Sequence, residues 1–193
     1  MRVSRLEAAQ NRERIIEVAA RLFRERGFDG IGVADLMKSA GLTHGGFYGH
    51  FASKEDLMAQ ACERAQEGSL ATLHRVAERG GKNRLSAVAS AYLSPRHRDQ
   101  PGEGCVLAAL GAEAARHGSR VRSAFTRGVR SALEMLTRLS PGKSERVRRN
   151  RALATYASMI GALVLARAVD DPELSEEVLQ SVLASIAQTD VPA

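Results

Sequence analysis

The chain has 193 residues, enough for one good core or for a small and a medium domain, and its 44% apolar and 26% charged residues are ordinary for a globular protein. Two cysteines, Cys62 and Cys105, exclude a disulfide framework and fit a reducing, cytoplasmic compartment. The net charge of +6 suggests an acidic partner such as nucleic acid, but residues 1–60 carry nine Lys/Arg against eight Asp/Glu, so the argument rests on where charges sit.

The first residues hold no apolar stretch of the signal-peptide kind. Ile15, Ala19, Leu22 and Phe23 recur at helical spacing and predict a helix over 10–26. Gly27-Phe28 reads as its stop, a glycine followed by a hydrophobe that folds back. Val33, Leu36, Met37 and Ala40 predict a short second helix, stopped in the same way by Gly41-Leu42.

Residues 43–51 read THGGFYGHF. Thr43 is a suitable N-cap for a third helix, in which Phe47 and Phe51, four apart, share a face. Yet the segment holds Gly45, Gly46 and Gly49, and each glycine inside a helix costs about 1 kcal/mol relative to alanine. With Phe47 and Phe51 in the core, His44, Gly45 and Tyr48 face outward. A bare backbone there can approach a base edge or a thymine methyl. Ser53 with Asp56 resembles a capping box and opens a fourth helix, predicted to run to about Arg79. Lys54 in its first turn opposes the helix dipole, which suits a site where an anion such as a DNA phosphate lies near. Tyr48 and His50 can also donate to phosphate oxygens.

Further helices are predicted over 80–93, 105–117, 119–140, 144–169 and 172–188, with a loop over 94–104. No strand-period segment and no internal repeat appears. The longest uncharged apolar run, 152–166, falls short of the ~20 residues that a membrane span needs. The basic run KSERVRRNR reads as a solvated helix start. Small residues beside Tyr156, Ile160 and Val164, namely Gly161 and Ala168, would permit close packing against a partner helix. Leu107, Leu110, Phe125, Val129 and Tyr156 are candidates for an apolar pocket, or for plain core. Cys105 opens an apolar helix after a Pro/Gly stretch, which makes it a candidate reactive thiol as well as an ordinary buried hydrophobe. No base, phosphate loop or metal-spaced His/Cys cluster accompanies it, so neither a metal nor a cofactor is expected and a thiol enzyme is a remote alternative. A helical adaptor without DNA binding is another.

Residues 14–57, RIIEVAARLFRERGFDGIGVADLMKSAGLTHGGFYGHFASKEDL, resemble the DNA-binding domain of TetR/AcrR-type transcriptional regulators. The likeness is carried by LF followed by GF, by AGL, and by FY, HF and SKE in register. GALVLARAVDDPELSEEVL resembles more loosely the closing helices of that family. The resemblance implies an all-α protein of about nine helices. A three-helix helix-turn-helix domain over 9–69, with its motif at about 32–51, precedes a larger helical domain for ligand binding and dimerisation over 70–193. It further implies a homodimer, most often a repressor, on a palindromic double-stranded operator, released by a small-molecule inducer. On that pattern Thr43, His44, Gly45, Tyr48, His50 and Lys54 fall on DNA-contact positions, and Gly32 and Val33 fall where helix amides meet phosphate. The last two helices would form the dimer interface. The chain departs from the pattern at Ile31 and Gly32, where a Thr or Ser cap is usual, and at Gly46 and Gly49, so its third helix offers few side chains for direct readout. His44 is the main candidate, and DNA shape supplies the rest.

Overall fold

The computed structural model describes residues 4–189, and every regular element among them is helical. The α-helices are α1 (Arg5–Arg26), α2 (Val33–Ser39), α3 (Lys54–Arg79), α4 (Arg84–Tyr92), α5 (Pro95–Asp99), α6 (Val106–Ala114), α7 (Ser119–Leu139), α8 (Glu145–Ala168) and α9 (Pro172–Thr189). Two 3₁₀ helices, His44–Gly49 and Pro101–Glu103, complete the set. None of the described helices is long and apolar enough to cross a membrane.

Local chemistry explains most boundaries. α1 starts five residues before the expected position because Ser4 and Glu7 form a true capping box: Glu7 N–H donates to Ser4 Oγ at 3.2 Å and Ser4 N–H to Glu7 Oε2 at 2.7 Å. At the other end Gly27 N–H donates to the Phe23 carbonyl at 2.8 Å, with Gly27 at φ 79°, a region that disfavours any Cβ. Ser53 Oγ accepts from Asp56 N–H at 3.1 Å, but the Asp56 carboxylate takes the N–H of Ala52 rather than of Ser53, a displaced version of the expected box. The expected loop over 94–104 instead contains α5, capped by Ser94 and begun by Pro95, and the 3₁₀ turn Pro101–Glu103. The helix expected from Gly80 begins at Arg84. Ser144 caps α8, and Asp171 Oδ1 accepts from the amides of Glu173 and Leu174 to cap α9.

The chain divides into two compact units. The first takes in the chain through Glu67 together with Pro101–Arg127. The second takes in Gly68–Gln100 and the chain from Gly128 onward. The first unit has one continuous core: Ile15, Ala19, Phe23, Phe28, Leu36, Met37, Phe47, Phe51 and Leu57 pack with Val106, Leu110, Val121 and Phe125. The helix-turn-helix segment is thus completed by residues from α6 and the start of α7, which the sequence assigns to the C-terminal domain. In the second unit α9 packs on α8 and α4. There Ser175 Oγ donates to the Ala166 carbonyl at 2.7 Å, and Arg167 donates to the carbonyls of His97 and Arg98 at 2.6 and 3.0 Å.

Candidate nucleic-acid interface

α2 and the 3₁₀ helix His44–Gly49 are joined by a tight turn. Gly41 sits at φ 72°, its N–H donates to the Lys38 carbonyl, and Leu42 N–H donates to Met37 at 2.9 Å. The second helix of the motif is 3₁₀ rather than α over 44–49, and Thr43 stands at its N-cap position without making a side-chain cap. Three glycines in six residues leave little intrinsic α preference, and the tighter winding eclipses residues three apart. Phe47 is fully buried and Phe51 nearly so, their ring centroids 5.5 Å apart, with the Arg12 guanidinium 5.3 Å from the Phe51 ring.

The opposite face is open. Thr43, His44, Gly45, Tyr48 and Gly49 are exposed, and His50 is half-buried. Tyr48 is 72% exposed, its ring edge-on to Phe47 at 5.2 Å. A Cβ built on Gly45 or Gly49 would meet nothing within 4 Å, and neither glycine adopts a positive φ. Neither packing nor backbone conformation demands glycine there. Gly46 faces inward toward Met37 at 3.7 Å, an ordinary contact. Gly32 is exposed, α2 carries no side-chain cap, and Val33 is half-buried at its first position.

Lys54 departs from the expectation of a free cation. Its Nζ donates to the Phe28 carbonyl at 2.6 Å, and its side chain is half-buried. The N–H of the same Phe28 donates to Glu113 Oε2 at 2.7 Å. The Phe28 ring lies edge-on to Phe23 at 5.4 Å and to His117 at 4.9 Å. Close by, Gly118 N–H donates to Glu55 Oε1 at 2.8 Å, and Arg120 pairs with Asp56 at 2.9 Å. Glu113, His117 and Glu55 therefore position the motif. No local pattern in the sequence marks them, because their partners lie 63 to 89 residues away.

The other expected site residues scatter. Cys105, Leu107, Leu110 and Phe125 belong to the first unit, where Leu110 is solid core, whereas Val129 and Tyr156 belong to the second. An open cleft of about 350 Å³ in the second unit is lined by Arg98, Asp99, Arg167, Asp170, Asp171 and Ser175 and includes none of the six. Tyr156, also expected at a dimer interface, is buried within its unit; its apolar spacing reflects the covered side of α8. The uncovered side carries Leu153, Val164 and Leu165, 45%, 42% and 56% exposed, with Ala157 and Ala168 also exposed. Ile160 and Gly161 lie half-buried, and a Cβ on Gly161 would meet nothing within 4 Å. Leu153 and Leu165 extend the stripe by one turn or one residue and were legible from the same periodicity. No group of His, Cys, Asp and Glu among the described residues could hold a metal ion.

Residues 15–61 match the model of the bacterial regulatory proteins of the tetR family. The repressor NemR of Escherichia coli K12 is 30% identical over 129 residues, a stretch that spans 65% of this chain and 65% of NemR. A crystal structure of E. coli NemR in its reduced form superposes with a TM-score of 0.77 at 25% identity, covering 93% of this chain and 97% of that one. A TetR-family regulator from Cytophaga hutchinsonii shares the fold along the full length of both chains, with a TM-score of 0.80 at 22% identity. Motif, fold and match agree: residues 15–61 are of the tetR type, and the chain as a whole shares the fold of TetR-family regulators.

Proposed function

We propose that the protein is a DNA-binding transcriptional repressor that binds a palindromic operator as a homodimer and is released by a small-molecule inducer. The observation that carries this reading is the face formed by His44, Gly45, Tyr48 and Gly49, which is exposed, bare at two positions, and backed by the buried pair Phe47 and Phe51. In this reading His44 reads a base edge, while Gly45 and Gly49 let the backbone close on the groove wall. Thr43, Tyr48, His50 and Lys54 hold phosphates, as do the uncapped amides around Gly32 and Val33. The DNA-binding domain spans about 9–69 and works together with 101–127. The uncovered stripe of α8, from Leu153 through Gly161 to Ala168, supports dimerisation. The inducer reading centres on Cys105, buried at the N-cap of α6 within the same compact unit as the motif, and draws support from a relative crystallised in a form named as reduced.

The test is a gel-shift titration of the purified chain on DNA from upstream of its own gene. Binding should weaken steeply with salt and be competed poorly by unrelated duplex. Equal affinity for operator and unrelated DNA would remove the reading.

A further inference from the structure

Most of the chain's net charge of +6 sits in one stretch: residues 143–151, KSERVRRNR, hold five cations against Glu145 alone. The stretch opens α8. A counterweight lies at the opposite end of that helix, where residues 170–177, DDPELSEE, hold five acids and no cation. Not all of these charges are available. Arg148 and Arg151 donate to the carbonyls of Gly142 and Pro141, Asp171 caps α9, and Glu176 pairs with Arg98. Arg146 and Arg149 remain on α8, and Glu173 and Glu177 on α9. All four are exposed, and none of their side chains makes a hydrogen bond or ion pair among the described residues. Each couple is like-charged at helical spacing, which is mildly destabilising in an isolated helix. The arginines also oppose the dipole at the start of α8.

Arg149 and Arg146 continue the uncovered stripe of α8, standing one and two turns before Leu153 at the spacing that leads on to Ala157, Gly161, Val164 and Ala168. Three residues join α8 to α9, which puts Glu173, Glu177 and the exposed Leu174 at the far end of the stripe. A rise of about 1.5 Å per residue separates the two couples by roughly 30 Å, several times the ~8 Å Debye length, so they cannot neutralise each other within one chain. A second copy can bring them together. We infer that the uncovered face of α8 receives a second copy of this chain in antiparallel orientation, Arg146 and Arg149 of each copy meeting Glu173 and Glu177 of the other. A two-fold axis makes both junctions at once. A parallel arrangement would set cation on cation and acid on acid, so the charges select the register as well as the partner. The inference rests on the homodimer reading and names the register and the residues that fix it. It also gives association a dependence on ionic strength that an apolar stripe alone lacks.

The test is sedimentation velocity of the full chain over a concentration series, at low and at high salt. Wild-type association should weaken as salt rises. Arg146→Glu/Arg149→Glu and Glu173→Lys/Glu177→Lys should each self-associate at least roughly tenfold more weakly than wild type at low salt, because every junction becomes like-charged. An equimolar mixture of the two should recover wild-type association, since one copy then carries only acids at these positions and the other only cations. That recovery requires both variants to be folded, and both sets of changes fall on exposed residues. Either variant associating as tightly as wild type overturns the inference, as does a mixture no tighter than its parts. Loss of DNA affinity in Arg146→Glu/Arg149→Glu with self-association intact would give the arginines to phosphate instead. A wild type that stays monomeric at micromolar concentration removes the homodimer reading itself, whereas a wild-type dimer indifferent to the reversals removes only the charge register.

Discussion

Glu113 Oε2 accepts the backbone N–H of Phe28 at 2.7 Å, across 85 residues of sequence. The corner between α1 and α2 is therefore held by a carboxylate from α6. Glu113→Ala would leave that amide in a largely closed setting without a partner, at a cost of about 1–3 kcal/mol. Glu113→Gln keeps an acceptor and should lose less. Chemical denaturation of the three proteins checks the order. Equal stability of Glu113→Ala and wild type would show that solvent replaces the carboxylate freely.

Gly45→Ala and Gly49→Ala should leave the fold intact or stabilise it, by up to about 1 kcal/mol each, because a methyl meets nothing and alanine prefers a helix. Operator affinity should nonetheless fall. Melting temperature and gel shift measured on the same samples separate the two effects. Unimpaired DNA binding would show that the bare backbone is not needed for close approach.

Lys54 serves the fold as well as any phosphate. Lys54→Met should cost about 1 kcal/mol of stability through the lost bond to the Phe28 carbonyl, the roughly 1.5–3 kcal/mol of a charged hydrogen bond being reduced by partial exposure. It should also lower the salt slope of DNA binding by about one. Tyr48→Phe tests the phosphate role without that complication, since Tyr48 is exposed and its hydroxyl carries no packing. His44→Ala should instead relax sequence preference.

Gly161→Leu should be nearly silent within a single chain, where a Cβ at that position meets open space. On an interface made by the uncovered face of α8, the added bulk should weaken association by about 1–3 kcal/mol. Sedimentation of wild type and variant over a concentration series checks this. A wild type that stays monomeric at micromolar concentration would dismiss the dimer altogether.

The Cys62 thiol, raised from 9.0 to about 12 by burial, makes stability fall with pH. Above pH 9 the unfolded chain gives up a proton that the folded chain retains, so the folded state loses ground. The contribution is fully present below pH 9 and drains away toward about 12, at up to about 1.4 kcal/mol per pH unit. Cys62→Ala should flatten that segment of the stability profile. Parallel profiles in the two proteins would mean that the thiol is already solvated in the folded state.

The outward face of the motif was legible in the sequence because its logic is local. Phe47 and Phe51 stand four apart, and that spacing alone sends His44 and Tyr48 outward. The start of α1 was also written locally, in Ser4 and Glu7, though the eye is drawn to the apolar stripe that begins later. The 3₁₀ winding was not legible, since glycines weaken an α-helix without naming its replacement. Lys54 and Glu113 were beyond reach for another reason: both ends of the Phe28 peptide are held by side chains from distant segments, and no window of sequence contains them together. Tyr156 shows the limit of periodicity, which marks an apolar face but not what covers it.

The first compact unit is assembled from two separated pieces of chain, and this bears on how such regulators can be recombined. A chimaera cut after the motif, carrying only the chain through Glu67 onto another regulator, would strip Leu36, Phe47 and Leu57 of the core they share with Val106, Leu110 and Phe125. It would also orphan the amide of Phe28 and the carboxylate of Glu55. The portable cassette is discontinuous: a graft that brings Pro101–Arg127 along with the motif keeps its partners, and one that follows the linear domain boundary does not.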